Sequence, residues 1–322
     1  MTIQITTTRY RPDTALDDEL ADLGYQGMRG WADQRPVTAT LVRSRLRPPS
    51  PTAPATSLVL ARTPSGDLVG AAALRHPATP DATARLWGPV VAREWQQAGI
   101  GSRLLTHAQV LWTGNGMTVV TAEIPVNRAH GCELFERAGW ARLHGAVLLK
   151  GPITRRDMSR LVVRPLDAED ATRLATLYQM INSTDGPQVA ADTYRRWSSD
   201  ERFVPDALLA VDGPDDSLAG VALGYPLIHT TAAEPPEVLV ADVLVHPAAD
   251  RATVASALIT AVIDAGARHG AQVARAIVPI HNRPLIGDLR TAGLEPAEDI
   301  VYYQAPPAPA LPRPEVTRAT AR

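Results

Sequence analysis

The fold of this chain is decided by the stretch VAREWQQAGIGSRLL, residues 91–105. The apolar run Ala84 to Val91 leads into it and predicts a buried strand. The residues after Gly101 place Leu104 and Leu105 on one helical face. Glycine lets a backbone approach a ligand closely, and the first amides of a helix have no partner within the helix. The stretch therefore predicts a strand, an anion-binding turn suited to a phosphate, and a helix.

This turn lacks the Gly-Lys-Ser/Thr of one nucleotide loop and the third glycine of the dinucleotide folds. It resembles the pyrophosphate loop of the GCN5-related N-acetyltransferases, Arg/Gln-x-x-Gly-x-Gly/Ala, which follows a strand ending in valine. Gln96, Gly99 and Gly101 occupy the three fixed positions. The resemblance implies that acetyl-coenzyme A binds here, with no metal. The residues that it assigns to the coenzyme are Val90, Val91, Gln96, Gln97, Ala98, Gly99, Ile100, Gly101, Ser102, Arg103 and Asn127.

The flanking residues extend the resemblance over about residues 1–150. Residues 117–126 are rich in strand formers, and residues 127–140 are similar to the family's second signature, a short helix between Asn and Gly-aromatic. Asn127 is expected to cap this helix, and Gly139 to end it in a left-handed turn. Upstream, residues 57–61 and 68–73 predict a hairpin.

The second half of the chain repeats this order with a period near 150 residues, which indicates two copies of one architecture. The chain has 322 residues, enough for two cores. The predicted elements are strand 161–166, helix 167–181, hairpin strands 207–211 and 218–223, strand 237–245, helix 251–268, strand 272–279 and helix 282–293.

We therefore expect an α/β protein with two tandem acetyltransferase-like domains, each a mixed, mostly antiparallel central sheet flanked by helices. Residues 1–150 form the coenzyme-binding domain, 151–304 the degenerate copy, and 305–322 an extended proline-rich tail. Residues 151–160 are the expected connector.

The two copies differ at the loop. Asp250 stands where the first copy has Gln96, and Thr253 stands where it has Gly99. A β-branched residue obstructs close backbone approach, and a carboxylate repels a pyrophosphate. We expect the second loop not to bind coenzyme A in the usual way, unless Arg251 compensates.

The resemblance implies transfer of an acetyl or short acyl group from the thioester to an amine by direct attack, with an amide near Val91 stabilising the oxyanion. The chain departs from the family at two places. The tyrosine often used as an acid is replaced by Phe135, and residues 86–89 carry no carboxylate, although Asp242 lies on the corresponding strand of the second copy.

Two residues are local candidates for catalysis. Glu123 is either a general base or part of a strand-end salt bridge, and His130 is either a proton relay or a surface histidine. Cys132, the only cysteine, is expected to be a small core residue. Trp87 and Trp140 either line the acceptor pocket or pack in the core.

Composition excludes several classes. One cysteine forms no disulfide within the chain, the eight histidines lack metal-ligand spacing, and no apolar run has membrane length.

The sequence predicts a cytoplasmic enzyme for a small-molecule amine, without membrane or nucleic-acid partners, and a monomer whose two copies form an internal pseudo-dimer. Two alternatives stay open. One is a carrier-protein or aminoacyl-tRNA donor, bound by Arg43, Arg45 and Arg47; the other is a coenzyme-binding regulator without catalysis.

Overall fold

The computed structural model describes residues 2–28, 37–48, 54–77, 83–154, 161–183, 186–200, 202–227 and 235–307. The elements of the first half are β1 Gln4–Arg9, α1 Thr14–Met28, α2 Ala39–Leu46, β2 Ser57–Arg62, β3 Leu68–Arg75, β4 Ala84–Val91, α3 Ile100–Gly114, β5 Val120–Pro125, α4 Ala129–Arg137 and β6 Ala141–Pro152. Those of the second half are β7 Arg164–Pro165, α5 Ala171–Ile181, α6 Pro187–Ala191, α7 Thr193–Ser198, β8 Leu208–Asp212, β9 Leu218–Leu227, β10 Glu237–Val245, α8 Arg251–Arg268, β11 Val273–Pro279, α9 Arg283–Thr291 and β12 Glu295–Gln304.

The repeated order predicted from the sequence is confirmed, and so is the α/β class with a mixed sheet flanked by helices. Strands β4 and β10 and helix α8 have the predicted bounds. Gly139 and Gly293 end α4 and α9 with φ of 77° and 75°, the left-handed geometry expected there. The strand predicted over 161–166 is shorter, because only Arg164–Pro165 pairs with β8.

The two halves share one twelve-stranded sheet in the order β1-β2-β3-β4-β5-β12-β6-β11-β10-β9-β8-β7. The last strand of each half is exchanged: β12 pairs with β5, and β6 pairs with β11. Gly151 and Pro152 belong to β6, so the expected connector 151–160 begins within this strand, and its residues 155–160 lie outside the described part of the chain. The expected boundary at residue 150 also falls within β6, and each copy's last strand completes the other's part of the sheet.

In each half, two neighbouring parallel strands pair at their beginnings and then separate. Strands β4 and β5 pair only from Ala84/Val120 to Leu86/Ala122 and then diverge. Strands β10 and β11 repeat this, pairing only over their first three residue pairs. Main-chain groups beyond such a divergence are available to a ligand, since the neighbouring strand no longer uses them.

Helices cover both faces of the sheet. In the first half, α3 and α4 pack on one face, where Phe135 and Trp112 each contact Trp140 edge to face. Helices α1 and α2 pack on the opposite face around Leu20 and Leu58. This arrangement fixes the beginning of α3 against the end of β4.

Candidate active site

The segment from β4 to α3 forms the strand, turn and helix that the sequence predicts. Gly99 is the N-cap of α3 with φ of 78°, and nothing lies within 4 Å of the position that a Cβ would take. Gln97 also has positive φ, 63°. The side chain of Gln96 donates a hydrogen bond to the Val91 carbonyl at 3.1 Å and so ties the loop to its strand. An open, left-handed turn at a helix N-terminus presents its amides to an anion.

Not every residue assigned to the coenzyme faces the same space. Those that line the cavity described below are Val90, Val91, Gln96, Gln97, Gly99, Gly101, Ser102 and Asn127. Ile100 is instead buried in the core, and Ala98 is exposed outside the cavity. The Arg103 guanidinium turns away and donates to the Ile3 carbonyl at 3.0 Å. The loop therefore meets a ligand mainly through its backbone.

The expected cap role of Asn127 is wrong. Helix α4 begins at Ala129, and the Asn127 amide donates to the Glu298 carboxylate on β12 at 2.8 Å. Glu298 is buried, and a buried carboxylate needs a hydrogen-bond donor. The equivalent Asn282 does cap its helix, accepting from the Leu285 amide. The exchanged strand thus changes what this asparagine does.

A cavity of about 3250 Å³ is lined by residues of both halves of the chain. Residues of α2, β4 and the loop line one side, and residues of α7 and β10 line the other. Its floor is formed by the central strands, with Ile300 on β12, Ile277 on β11 and His144 on β6. The loop and the divergence of β4 and β5 therefore open into one continuous space.

Glu123 lies where β4 and β5 separate, one residue after the last paired position. It is exposed, it lines the cavity, and Tyr302 of β12 lies directly opposite it. The Tyr302 ring stacks on His144 with centroids 5.0 Å apart. Burial, aided by the charge and hydrogen bond of Glu123, raises the pKa of Tyr302 to about 12. The phenol therefore stays protonated at neutral pH.

Sequence reasoning did not select Tyr302. It lies in the second half, outside the domain expected to bind the coenzyme, and only the pairing of β12 with β5 brings it to Glu123. A search for a tyrosine anywhere on a predicted terminal strand is the one signal that would have suggested it. In the part of the chain that the structure describes, Glu123 forms no salt bridge, so the alternative role suggested for it is not observed.

His130 lies beside the loop. Its Nε2 is 3.5 Å from Gln97 Nε2, and its Nδ1 is 3.8 Å from the carboxylate of Glu133, one helical turn further along. The side chain is exposed and lines the cavity. The structure thus brings His130 to the loop before α3 and not into contact with Glu123.

The remaining candidates divide between core and cavity. Phe135 and Trp140 are buried in the core, and Cys132 is half-buried against the same cluster. Trp87 is half-buried and lines the cavity. In the expected basic cluster, the Arg43 side chain bonds the buried carboxylate of Asp17.

The second copy's loop has a different conformation. Helix α8 begins at Arg251, six residues after Val245, whereas α3 begins nine residues after Val91. The Thr253 hydroxyl donates to the Asp250 carboxylate at 2.5 Å, and Arg251 forms an ion pair with Asp288 at 3.1 Å. Residues 245–255 contribute nothing to the cavity lining. Arg251 thus has a local partner, and the turn that forms the first loop is helical in the second.

A unit of strand, loop and helix that occurs twice in one chain is the architecture of a tandem acetyltransferase-type fold. The chain belongs to the acetyltransferase (GNAT) family, whose sequence profile matches residues 31–140 and 172–293. Comparison with curated proteins found no significant match.

Solved structures share the fold over nearly the whole chain. A tandem GNAT protein from the clavulanic acid biosynthesis pathway has a TM-score of 0.74 at 17% identity, covering 96% of this chain and 100% of that one. A GCN5-related N-acetyltransferase from Sphaerobacter thermophilus has a TM-score of 0.71 at 17% identity, with coverage of 93% and 95%. N-myristoyltransferase of Saccharomyces cerevisiae with bound myristoyl-CoA has a TM-score of 0.64 at 11% identity, with coverage of 94% and 82%. No helix among the described residues is long and apolar enough to span a membrane.

Proposed function

We propose that this protein is an N-acyltransferase that moves an acetyl or short acyl group from acetyl-coenzyme A to a small-molecule amine. The observation that carries the proposal is the continuity of the open Gln96–Gly101 loop with a cavity that holds Glu123 and Tyr302. The donor binds in the first half, and the second half forms the opposite wall of the acceptor space. Since one chain supplies both walls, the protein works as a monomer with an internal pseudo-dimer.

The loop amides and the open end of α3 bind the pyrophosphate. The thioester then extends along the end of β4, where a main-chain amide near Val91 stabilises the oxyanion. Of the residues assigned from the family resemblance, those on the cavity wall hold the coenzyme, and Ile100 supports the loop from the core. His130, next to Gln97, contributes a hydrogen bond at the phosphates.

Glu123 accepts the proton of the attacking amine as the new carbon–nitrogen bond forms at the thioester carbonyl. The carbon–sulfur bond then breaks, and the sulfur takes a proton from the Tyr302 hydroxyl. Tyr302 recovers its proton from Glu123, its hydrogen-bond partner. The proton lost by the amine thus ends on the thiol of coenzyme A, and both side chains return to their starting states.

The test is release of free thiol from acetyl-coenzyme A in the presence of a panel of primary amines, with the acetylated amine identified by mass spectrometry. We expect turnover for at least one amine class, and its loss in Gly99→Glu. Binding of coenzyme A without turnover of any amine would refute the transferase proposal in favour of a regulatory coenzyme-binding protein.

A further inference from the structure

Among the described residues, twice as many arginines as acidic residues line the cavity. The whole chain has 32 basic and 34 acidic residues. The acidic residues that line the cavity are Glu123, Glu133, Asp192, Asp200 and Glu298. The arginines that line it are Arg45, Arg47, Arg75, Arg85, Arg128, Arg137, Arg195, Arg196, Arg202 and Arg275. A cleft lined by an excess of one charge concentrates ligands of the other.

Much of this positive charge lies far from the phosphate loop. Arg75 and Arg85 are cross-strand partners on β3 and β4. Arg85 precedes Val91 by six residues, which is about 20 Å along an extended strand. In the proposed complex, the pyrophosphate of the coenzyme lies at the other end of β4.

Three more arginines face this pair from the second half. Arg195 and Arg196 lie on α7, and Arg202 follows it. Burial raises the pKa of Asp200, but hydrogen bonds from Arg202 and, to a smaller extent, the charge of Arg75 lower it below its usual value, so the two sets of arginines lie near each other. We name Arg75, Arg85, Arg195, Arg196 and Arg202 the arginine group.

Among the residues that the structure describes, three carboxylates lie near these five guanidinium groups: Asp192, Asp200 and Asp242, the last of which is close enough to Arg196 for the arginine to lower its pKa against the effect of burial. Asp200 accepts hydrogen bonds from Arg202 at 2.6 and 2.8 Å, and Asp192 pairs with Arg195 at 2.9 Å. The Arg196 guanidinium lies 5.4 Å from the centroid of the Tyr178 ring. Arg85 is exposed to the cavity and has no carboxylate partner among the residues that the structure describes. Arg85 is therefore the member of the group that is most open to an anionic ligand.

We propose that the arginine group binds an anionic substituent, a carboxylate or a phosphate, on the acceptor whose amine reacts at Glu123. This proposal rests on the proposed transferase function. Arg85 is near enough to Tyr302 to oppose the rise in the phenol's pKa, so an anion held at Arg85 lies beside the reacting groups. The second half then selects the acceptor, because three of the five arginines belong to it. Guanidinium groups suit this task since they donate paired hydrogen bonds to carboxylates and phosphates.

The experiment compares matched amines: β-alanine with β-alaninamide, and 3-aminopropyl phosphate with 3-aminopropanol. The readout is the ratio of kcat/KM for the anionic and the neutral member of each pair, because a ratio cancels any effect of a variant on Tyr302. We expect the wild type to prefer the anionic member at least about tenfold, with Arg85→Gln and Arg196→Gln each lowering the ratio about tenfold. Arg142→Gln, an exposed arginine on β6 outside the cavity, serves as the matched control and keeps the wild-type ratio. The pair with the larger ratio identifies carboxylate or phosphate as the preferred anion.

A ratio near one in the wild type, or equal ratios in the wild type and both variants, would overturn the proposal while leaving the transferase function intact. If no amine is acetylated, the transferase function fails, and binding decides the anion site separately. Calorimetric titration of 3-aminopropyl phosphate with saturating coenzyme A present then tests it. Weaker binding to Arg85→Gln and Arg196→Gln than to Arg142→Gln supports the anion site, and equal binding to all three refutes it.

Discussion

The loop before α3 and the corresponding residues before α8 occupy equivalent places in two copies of one fold, yet their conformations differ. In the first copy Gly99 is left-handed and the helix begins at Ile100. In the second copy the helix begins at Arg251, and Asp250 bonds the Thr253 hydroxyl. The side chain of Asp250 therefore occupies the end of α8 with a negative charge supplied by the protein itself. The same fold can keep an open, left-handed glycine turn or replace it with helix.

The comparison also shows that a copy without a loop can still take part in the site. The second half contributes no loop residue to the cavity, but it contributes Tyr302, Glu298 and the arginines of α7. Strand exchange makes this possible, because β12 lies within the first half's part of the sheet.

The largest expected effect tests the loops directly. Gly99→Glu places a side chain on a left-handed residue and a negative charge in the phosphate cradle. We expect the Kd for coenzyme A to rise at least about 100-fold, the scale of a lost charge-assisted interaction made worse by repulsion. Calorimetry provides the measurement. Thr253→Glu is the matched control in the second copy, and we expect it to leave the Kd unchanged. A loss of binding in Thr253→Glu would contradict the proposal that the coenzyme binds in the first half.

The next effect tests the exchanged strand. Tyr302→Phe removes the hydroxyl opposite Glu123, and we expect kcat to fall about 100-fold, the lower end of the usual range for a lost proton transfer, with little change in coenzyme Kd. Tyr303→Phe is the control, since the Tyr303 hydroxyl bonds Glu136 and the residue is buried among the core side chains. Equal losses of kcat in both variants would show that Tyr302 acts only in folding.

A smaller effect concerns Asp242, the carboxylate that the first copy lacks. Burial raises the pKa of Asp242 to about 6, above its unfolded value, so the folded state holds an extra proton between about pH 4 and 6. The free energy of unfolding falls as pH rises through this window, and above it the full cost of burying the charged carboxylate is present.

Asp242→Asn removes that cost. We expect a gain of about 1–2 kcal/mol in the free energy of unfolding at pH 8, reduced because the residue is partly exposed, and a smaller gain at pH 5. Urea titrations at both pH values provide the measurement, and an equal gain at both contradicts the assignment.

The smallest expected effect sharpens the comparison of the loops. Asp250→Gln combined with Thr253→Gly gives the second copy the first copy's residues at two of the three signature positions. We expect no detectable coenzyme binding when this pair is built into the Gly99→Glu protein. The reason is that three positions which form the turn in one copy are helical in the other. Recovery of binding by calorimetry would show that residue identity alone decides the loop.

Much of the fold was predictable because its signals are local. The strand Ala84–Val91, the glycine turn and α3 follow from patterns within about 25 residues, and the repeat of that order predicted the second copy. Local reasoning failed where a distant strand intervened. Asparagine is favoured at helix N-caps, so the sequence near Asn127 predicts a cap. Its observed partner, the buried Glu298, lies far away in the sequence and cannot be identified from the neighbouring residues.

The sequence by itself determined that this protein has two copies of the GNAT fold and that only the first keeps the glycine turn, because turns and helix ends depend on neighbouring residues. The tertiary structure decided which strand completes which part of the sheet. A terminal strand can form its backbone hydrogen bonds equally well beside either copy. Its hydrophobic pattern therefore does not identify the strand with which it pairs. The pairing of β12 with β5 is what places Tyr302 opposite Glu123 and opens the site to the arginines of the second half.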